Sequence, residues 1–386
     1  MAEPPIVVVG GGISGASVAY HLSERTDRAV VVYDRQSLAS ETTTKSAAFV
    51  GYYGGENGAR LRMKREGIAE YNDLLGEPRT QVQTNLSGRV DVATTEAGAK
   101  RLRETAAELR AAAESNASLV EYYSGADVAS TILAPEVDLD RVTGAIYRPN
   151  IVYTRPHEIA FEYVERATEN GVTFQPNTAV EEILVDGGAV RGVVTEAETV
   201  ETETVVCAAG PWSVELLRDV GIDLPVEHSL GSVLMLRPST PLADTFPSLK
   251  HVESGLYFRQ SHNETIFVGH RPDETAEVDP DRVGEKVSRE LVATASTVVP
   301  ELVPSLFDAE LEEEWVGVRT MAADRDPIVG GTAVDGLFLT VYNGDGIMLA
   351  PAAGKLVADQ IVDGVVPPYY EEVSLARFPG QTDTFR

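Results

Sequence analysis

The first apolar positions of the chain predict a β-α-β unit. Residues 6–9 are four consecutive apolar residues, a pattern typical of a strand that is buried on both faces. Residues 13–25 favour a helix, and residues 29–33 form a second short apolar run. A glycine-rich turn separates the first strand from the helix, so this order of elements indicates the start of a parallel sheet.

The apolar pattern also predicts elements along the rest of the chain. Helices are predicted over residues 56–75, 100–114, 157–171, 212–220, 284–300 and 347–364. Alternating apolar residues on both sides of Asp186-Gly187-Gly188 predict a β-hairpin. Strands are predicted within 172–178, 204–210 and 336–342, and residues 226–270 are rich in strand patterns.

The parallel-sheet patterns occur in three separate pieces of the chain. These pieces are residues 6–33, 172–210 and 336–364, and β-rich segments lie between them. Because one sheet can collect strands from distant segments, we expect a single nucleotide-binding domain that a second domain interrupts.

A glycine fingerprint follows the first strand. Gly10, Gly12 and Gly15 form G-x-G-x-x-G between a predicted strand and a predicted helix. Such glycines make the turn, leave room for a pyrophosphate, and let the helix pack on the strand, while the helix N-terminus favours phosphate. Asp34 follows Gly15 by nineteen residues, where a carboxylate binds ribose hydroxyls and disfavours the 2′-phosphate of NADP. The motif alone fits either NAD or FAD.

Composition narrows the classes of partner. The net charge of −28 argues against nucleic acid as a partner, because phosphate binding needs basic patches. Six lysines stand against 26 arginines, which suggests a halophilic surface adapted to high salt. The single cysteine, Cys207, excludes an internal disulfide and a zinc cluster. No apolar run is long enough for a membrane span, and residues 1–5 lack a signal-peptide pattern, so we expect a cytoplasmic protein.

Four further segments carry a resemblance to a known family when they are read with the fingerprint. In chain order they are "ASETTTKSAAFVGYYG", "VVCAAGPWS", "WVGVRTMAADRDPIVG" and "YNGDGIMLAPAAGK". Together they resemble the D-amino-acid oxidase superfamily of FAD enzymes, which includes glycine oxidase, sarcosine oxidase and D-amino-acid dehydrogenases. The resemblance spans essentially the whole chain.

The resemblance implies an α/β fold class. We expect a Rossmann-like FAD-binding domain, formed by residues 1–85, 145–222 and 318–386, that is interrupted by an α+β substrate domain. The substrate domain, with a mainly antiparallel sheet, would comprise residues 86–144 and 223–317.

The resemblance also implies the residues that would contact FAD. Beside the fingerprint glycines, these are Ile13, Ser14, Asp34, Arg35, Thr42, Thr43, Ser46, Ala47, Ala48, Phe49, Val180, Asn343, Gly344, Asp345, Gly346, Ile347 and Met348. Residues 46–49 would pass along the flavin and residues 342–348 would wrap its edge. Residues 342–348 form a second glycine turn before a helix, and that helix N-terminus would favour the negative charge of reduced flavin. An ordinary glycine-rich turn has the same pattern. Because Cys207 lies far from the cysteine that holds flavin in bacterial sarcosine oxidases, we expect noncovalent FAD.

Three residues are the candidates for the substrate site. Arg319 matches a family arginine that pairs with a substrate carboxylate, which suits the planar guanidinium. Tyr257 matches a tyrosine that often faces the ligand, and Tyr53, or its neighbour Tyr52, would cover the flavin's other side. A surface ion pair for the arginine and ordinary packing for the tyrosines remain alternatives.

The implied reaction is oxidation of the C–N bond of an amino acid, with hydride transfer to flavin N5 and hydrolysis of the imine. The substrate would be a D-amino acid, glycine or an N-methyl amino acid. Alternatives are an FAD dehydrogenase of a 2-hydroxy acid or glycerol 3-phosphate, a subunit of a larger complex, or a flavoprotein without catalysis. His251, His262 and His270 lack the spacing of metal ligands, and the electron acceptor stays open.

Overall fold

The computed structural model describes residues 3–51, 58–112, 120–128, 136–243, 245–270, 278–284, 286–342 and 344–383. Two of the expected site residues, Tyr53 and Asn343, therefore lie outside the described residues, as does Tyr52. No helix within the described ranges is both long enough and apolar enough to cross a membrane.

Apart from two helices of four residues each, which the sequence did not predict, the helices lie close to the predicted positions. They are α1 Ile13–Ser23, α2 Gly58–Gly76, α3 Glu96–Ala112, α4 Gly125–Val128, α5 Pro156–Glu169, α6 Ser213–Arg218, α7 Arg289–Leu302, α8 Gly346–Asp363 and α9 Tyr370–Val373. Helix α7 begins five residues later than predicted, because the Ser288 side chain accepts a hydrogen bond from the Leu291 amide and caps the helix there.

The strands are more numerous than the sequence pattern indicated. They are β1 Ile6–Val9, β2 Val30–Tyr33, β3 Phe49–Val50, β4 Thr84–Asn85, β5 Arg89–Ala93, β6 Glu121–Ser124, β7 Gly144–Arg148, β8 Val152–Thr154, β9 Thr173–Gln175, β10 Val180–Asp186, β11 Ala189–Thr195, β12 Thr199–Glu201, β13 Thr204–Cys207, β14 Val226–Arg237, β15 Ser248–His251, β16 Leu256–Gln260, β17 Ile266–His270, β18 Glu310–Ala322, β19 Ile328–Gly331 and β20 Leu337–Val341. The predicted hairpin is confirmed as β10 and β11, with Gly187 and Gly188 at positive φ in the turn.

A six-stranded sheet contains the fingerprint strand. Its order is β19-β20-β13-β1-β2-β9, with β1 parallel to both β2 and β13 and with β19 antiparallel to β20. All four residues of β1 are buried, as the apolar run predicted. Helix α1 packs against α8 so closely that a Cβ on Gly354 would lie 2.3 Å from Ser17 Oγ. The three parallel-sheet pieces of the sequence thus meet in one sheet, which confirms the α/β class.

An eight-stranded sheet holds most of the β-rich segments. Its order is β18-β14-β17-β16-β15-β5-β7-β6, and its pairs are antiparallel except for β15 with β5. The longest pairing joins β14 and β18, from Val226 opposite Ala322 to Arg237 opposite Glu310. Strands β7 and β18 both cross predicted domain boundaries, at 144/145 and 317/318, and the division into two domains stays a prediction.

Candidate functional site

One cavity of about 1220 Å³ lies between the two sheets. The ends of β1, β2 and β13 line it through Val9, Tyr33 and Ala208, and β16 and β18 line it through Tyr257 and Arg319. The carboxyl ends of parallel strands are where open α/β sheets bind ligands. The volume exceeds the roughly 300–1,000 Å³ typical of small-molecule pockets, so it accommodates a ligand larger than an amino acid.

The fingerprint glycines form a tight turn at the floor of this cavity. Gly10 has a φ of +105°, and a Cβ on it would lie 2.5 Å from the carbonyl oxygen of Ala208. A Cβ on Gly15 would lie 1.8 Å from the carbonyl oxygen of Gly10, so α1 packs here with no room for a side chain. Gly10 and Gly12 line the cavity, whereas Gly15 contributes only this close packing.

The segment at residues 39–48 contacts the start of α1. The amide of Ile13 donates to Thr43 Oγ1 at 3.0 Å, and a Cβ on Gly12 would lie 3.0 Å from the same oxygen. The Ser14 hydroxyl bonds Tyr342 at 3.0 Å and also contacts Thr340. Thr43 Oγ1 therefore acts as the acceptor for the Ile13 amide. The Thr43 hydroxyl can still donate its own proton to a ligand phosphate.

Asp34 sits at the end of β2 with a carboxylate fixed by backbone. Its Oδ2 accepts from the Gly11 amide at 2.7 Å and its Oδ1 accepts from the Gln36 amide at 2.8 Å. Burial raises the pKa of Asp34, although the two amides oppose that shift. Each oxygen keeps a second lone pair, and the residue lines the cavity, so the carboxylate can accept from ribose hydroxyls.

Arg35 belongs to a contact that the sequence did not reveal. Its guanidinium lies 4.0 Å from the ring centroid of Trp212 and 2.8 Å from Asp281 Oδ1. Trp212 Nε1 donates to that same oxygen at 2.9 Å. The hydrogen bond from Arg35 lowers the pKa of Asp281. We call Arg35, Trp212 and Asp281 the clamp; Arg35 and Trp212 line the cavity.

The second glycine turn is anchored by α2. Asp345, which precedes α8, accepts from Lys64 Nζ at 3.1 Å and forms a short ion pair with Arg60. Lys64 is fully buried, and sequence reasoning did not single it out. The hydroxyl of Tyr71 donates to the carbonyl oxygen of Ile347. These contacts fix the N-terminus of α8 at the cavity wall. Gly344, Asp345, Gly346, Ile347 and Met348 all line the cavity.

The other expected cofactor residues also lie on this cavity. Thr42, Ser46, Ala47, Ala48, Phe49 and Val180 line it. Ala48 adopts a φ of +51° and its amide donates to Ser46 Oγ at 3.0 Å. Strand β3 begins with Phe49 opposite Tyr153, so the pairing with β8 fixes the end of this segment.

The wall formed by the eight-stranded sheet carries the two described substrate-site candidates. Arg319 lies opposite Ser229 in the β14–β18 pair and donates a short hydrogen bond to its hydroxyl. The Tyr257 ring packs edge-on to Phe49, with centroids 5.8 Å apart, and stacks on Phe267 at 6.0 Å. The structure therefore brings Arg319 and Tyr257 to one cavity with the glycine turn.

Two further cations line this wall that the sequence analysis missed. They are Arg89 on β5 and Lys250 on β15. Arg89 Nε lies 2.8 Å from Asp91 Oδ1, and Arg148 approaches the other oxygen at 3.3 Å. Burial raises the pKa of Asp91, but the neighbouring Arg89 and Arg148 outweigh burial and hold it below its usual value. The pairing of β5 with β15 brings these cations together.

Comparison with known proteins gives the family. A family profile described as FAD dependent oxidoreductase matches residues 5–360. A glycine oxidase of Geobacillus kaustophilus is 25% identical over 364 residues, which cover 92% of each protein. The mitochondrial pyruvate dehydrogenase phosphatase regulatory subunit of mouse is 26% identical over 392 residues, covering 98% of this chain. This chain spans only 43% of that regulatory subunit.

The fold is shared with solved structures. A crystal structure of glycine oxidase from Bacillus cereus superposes with a TM-score of 0.82, at 22% identity, over 98% of this chain and 99% of that one. The likeness covers both sheets, because it spans nearly the whole chain. With the profile match over most of its length, the chain belongs to the FAD dependent oxidoreductase family.

Proposed function

We propose that the chain binds FAD noncovalently and oxidises the C–N bond of an amino acid. The observation that carries this proposal is the position of Arg319, which lines the same cavity as Asp34 and the glycine turn. A cofactor held at the turn and a carboxylate held at Arg319 then share one space. Holding both reactants in one site is a large part of what enzymes contribute to such reactions.

Three features of the cavity fit FAD. The turn at Gly12 leaves space that a Cβ would take from a phosphate. The Asp34 carboxylate is fixed by two amides and suits a ribose. The N-terminus of α8 favours negative charge at the flavin edge. Bound there, FAD would supply a two-electron acceptor for the hydride on the substrate carbon that carries the nitrogen, and water would hydrolyse the resulting imine.

Residues of the eight-stranded sheet would hold the substrate. Arg319 suits a carboxylate because its planar guanidinium forms two parallel hydrogen bonds, and Ser229 fixes its orientation. The Tyr257 ring, packed between Phe49 and Phe267, limits the space beside the substrate. An amine that enters neutral needs no side-chain base, so positioning supplies most of the protein's contribution.

The glycine oxidase relative supports this substrate class. Its name assigns it glycine, which carries an amine and a carboxylate on one carbon. Arg319 accounts for the carboxylate in any such substrate and leaves the side chain, enantiomer and N-methyl group open. We therefore propose the class: a D-amino acid, glycine or an N-methyl amino acid.

The mouse regulatory subunit supports a second candidate. Its name assigns it a regulatory role, although it is as similar to this chain as the oxidase is. The second candidate is thus a flavoprotein that binds FAD and serves a larger assembly without oxidising an amine.

Anaerobic reduction of the bound flavin separates these candidates. Protein purified in high salt is mixed with D-, L- and N-methyl amino acids, and the loss of oxidised-flavin absorbance is followed. Matched amines without a carboxylate, 2-hydroxy acids and glycerol 3-phosphate are the controls. We expect an amino acid to reduce the flavin and its decarboxylated amine to do so poorly. Reduction by dithionite alone would support the regulatory role, and reduction by hydroxy acids alone would refute amine oxidation.

A further inference from the structure

Arg259 is a buried cation on the sheet that forms one wall of the cavity. It lies in β16 and is 4% exposed. Tyr257, two residues earlier in the strand and hence on the same face, lines the cavity. The cross-strand neighbour of Arg259 in β17 is Phe267. The Arg259 side chain therefore lies on the cavity face of this sheet, beside the segment that carries Ala47.

The contacts of Arg259 are carbonyl oxygens and aromatic rings. Its Nη2 donates to the carbonyl of Ala47 at 3.1 Å, and its Nη1 donates to that of Gln260 at 3.2 Å. The guanidinium carbon lies 4.4 Å from the ring centroid of Tyr153 and 4.7 Å from that of Phe267. Within the described ranges, no carboxylate lies at ion-pair distance from Arg259, and its buried Nε has no hydrogen-bond partner.

Such a charge needs an explanation, because a buried cation is normally paired with an anion. Burial lowers the pKa of Arg259 to about 10, so it stays charged at neutral pH. The two rings offer cation–π contacts that hold the guanidinium in place but leave its charge intact. A group that becomes negative within the adjacent cavity would be stabilised by this charge across a poorly screened layer.

We propose that Arg259 is a positioning residue that fixes the Ala47 peptide beside the flavin and favours the negative charge that flavin gains on reduction. This rests on the proposed function, because that function sets the flavin along residues 46–49. Ala47 lines the cavity and accepts the hydrogen bond from Arg259, so one side chain links the substrate wall to the cofactor segment.

Sulfite binding to the holoenzyme tests the charge without any turnover. Sulfite adds to oxidised flavin and leaves negative charge on the ring, so its dissociation constant reports the local field. We expect Arg259→Gln to raise that constant about tenfold or more and to lower the two-electron reduction potential by the matching ~30 mV. The control is Arg237→Gln, which removes the same charge from an exposed ion pair with Glu312 and should change neither quantity.

Arg259→Lys separates charge from packing and serves if the glutamine variant fails to fold. Lysine keeps the charge at neutral pH but loses it at a lower pH than arginine when buried. We expect the sulfite affinity of Arg259→Lys to lie within about threefold of wild type at neutral pH. As the pH rises, the lysine variant should lose sulfite affinity while the wild-type protein keeps it. Unchanged sulfite binding in Arg259→Gln, or a lysine variant without that pH-dependent loss, would overturn the inference. Failure of the wild-type protein to hold FAD would instead refute the proposed function.

Discussion

Replacing Arg319 with alanine should weaken an amino-acid substrate and leave FAD bound. Arg319 is half-buried and donates a hydrogen bond to the neutral hydroxyl of Ser229. Truncating one partner of a desolvated charge pair costs about 2–5 kcal/mol, and partial exposure argues for the lower part of that range. A loss of about 2–3 kcal/mol corresponds to roughly 30- to 150-fold in kcat/KM. Gly12 and Asp34, which we propose contact FAD, lie in the segments that follow β1 and β2, so FAD binding should not change.

The assay follows anaerobic flavin reduction with an amino acid and with its decarboxylated amine. The loss should be confined to the substrate that carries the carboxylate. Arg319→Lys should recover only part of the lost affinity, because an ammonium group lacks the bidentate geometry. Ser229→Ala should give a smaller effect, about 0.5–1.5 kcal/mol, because it removes a single hydrogen bond that orients the guanidinium.

The matched pair of substrates makes the reasoning refutable. If Arg319→Ala slowed reduction by both substrates equally, the arginine would not be the carboxylate anchor. A role in shaping the flavin site would then explain the loss. If the variant lost FAD, the separation of substrate and cofactor contacts in the cavity would itself be wrong.

Three further predictions concern cofactor retention and salt. Gly12→Val should lose FAD on gel filtration, because even its Cβ would lie 3.0 Å from Thr43 Oγ1. A variant that stays yellow with bound FAD would contradict the proposed phosphate site at this turn. Asp281→Asn should release FAD several-fold faster at low salt, measured as recovered flavin fluorescence, because it weakens the clamp with Arg35; an equal difference in molar salt would refute an ionic role. The melting temperature should rise with KCl into the molar range as carboxylate repulsion is screened, and a flat or falling curve would count against a halophilic surface.

The sequence predicted those parts of the fold whose signals are local. The two apolar runs at residues 6–9 and 29–33, with the glycine turn between them, lie within thirty residues. These two runs form adjacent parallel strands. The hairpin at Gly187 was visible for the same reason. The eight-stranded sheet depends on pairings between distant segments, such as β5 with β15, which apolar periodicity does not encode. Strand β18 was missed as a strand because four of its first five residues are acidic, and its first four residues are exposed.

The candidate site divides in the same way. Gly12 and Asp34 have fixed spacings in one motif, so sequence alone could nominate them. Lys64 and Arg259 become meaningful only when folding buries them against Asp345 and Ala47, which lie far away in the chain. A weak signal existed for Arg259, because "GLYFRQ" places a charged residue within a strand pattern that also contains Tyr257.

The net charge of −28 does not reveal the cations that the eight-stranded sheet places at the cavity. That sum is set mainly by exposed carboxylates, whereas Arg89, Lys250 and Arg319 face the cavity and Arg259 lies buried beside it. Salt screens charges in water over roughly 10 Å or less but screens buried charges much less. Molar salt should therefore abolish the effect of Asp281→Asn on FAD release and preserve the effect of Arg259→Gln on sulfite binding. If molar salt abolished both effects, the charge of Arg259 would act through solvent, and not through the buried protein between Arg259 and the cavity.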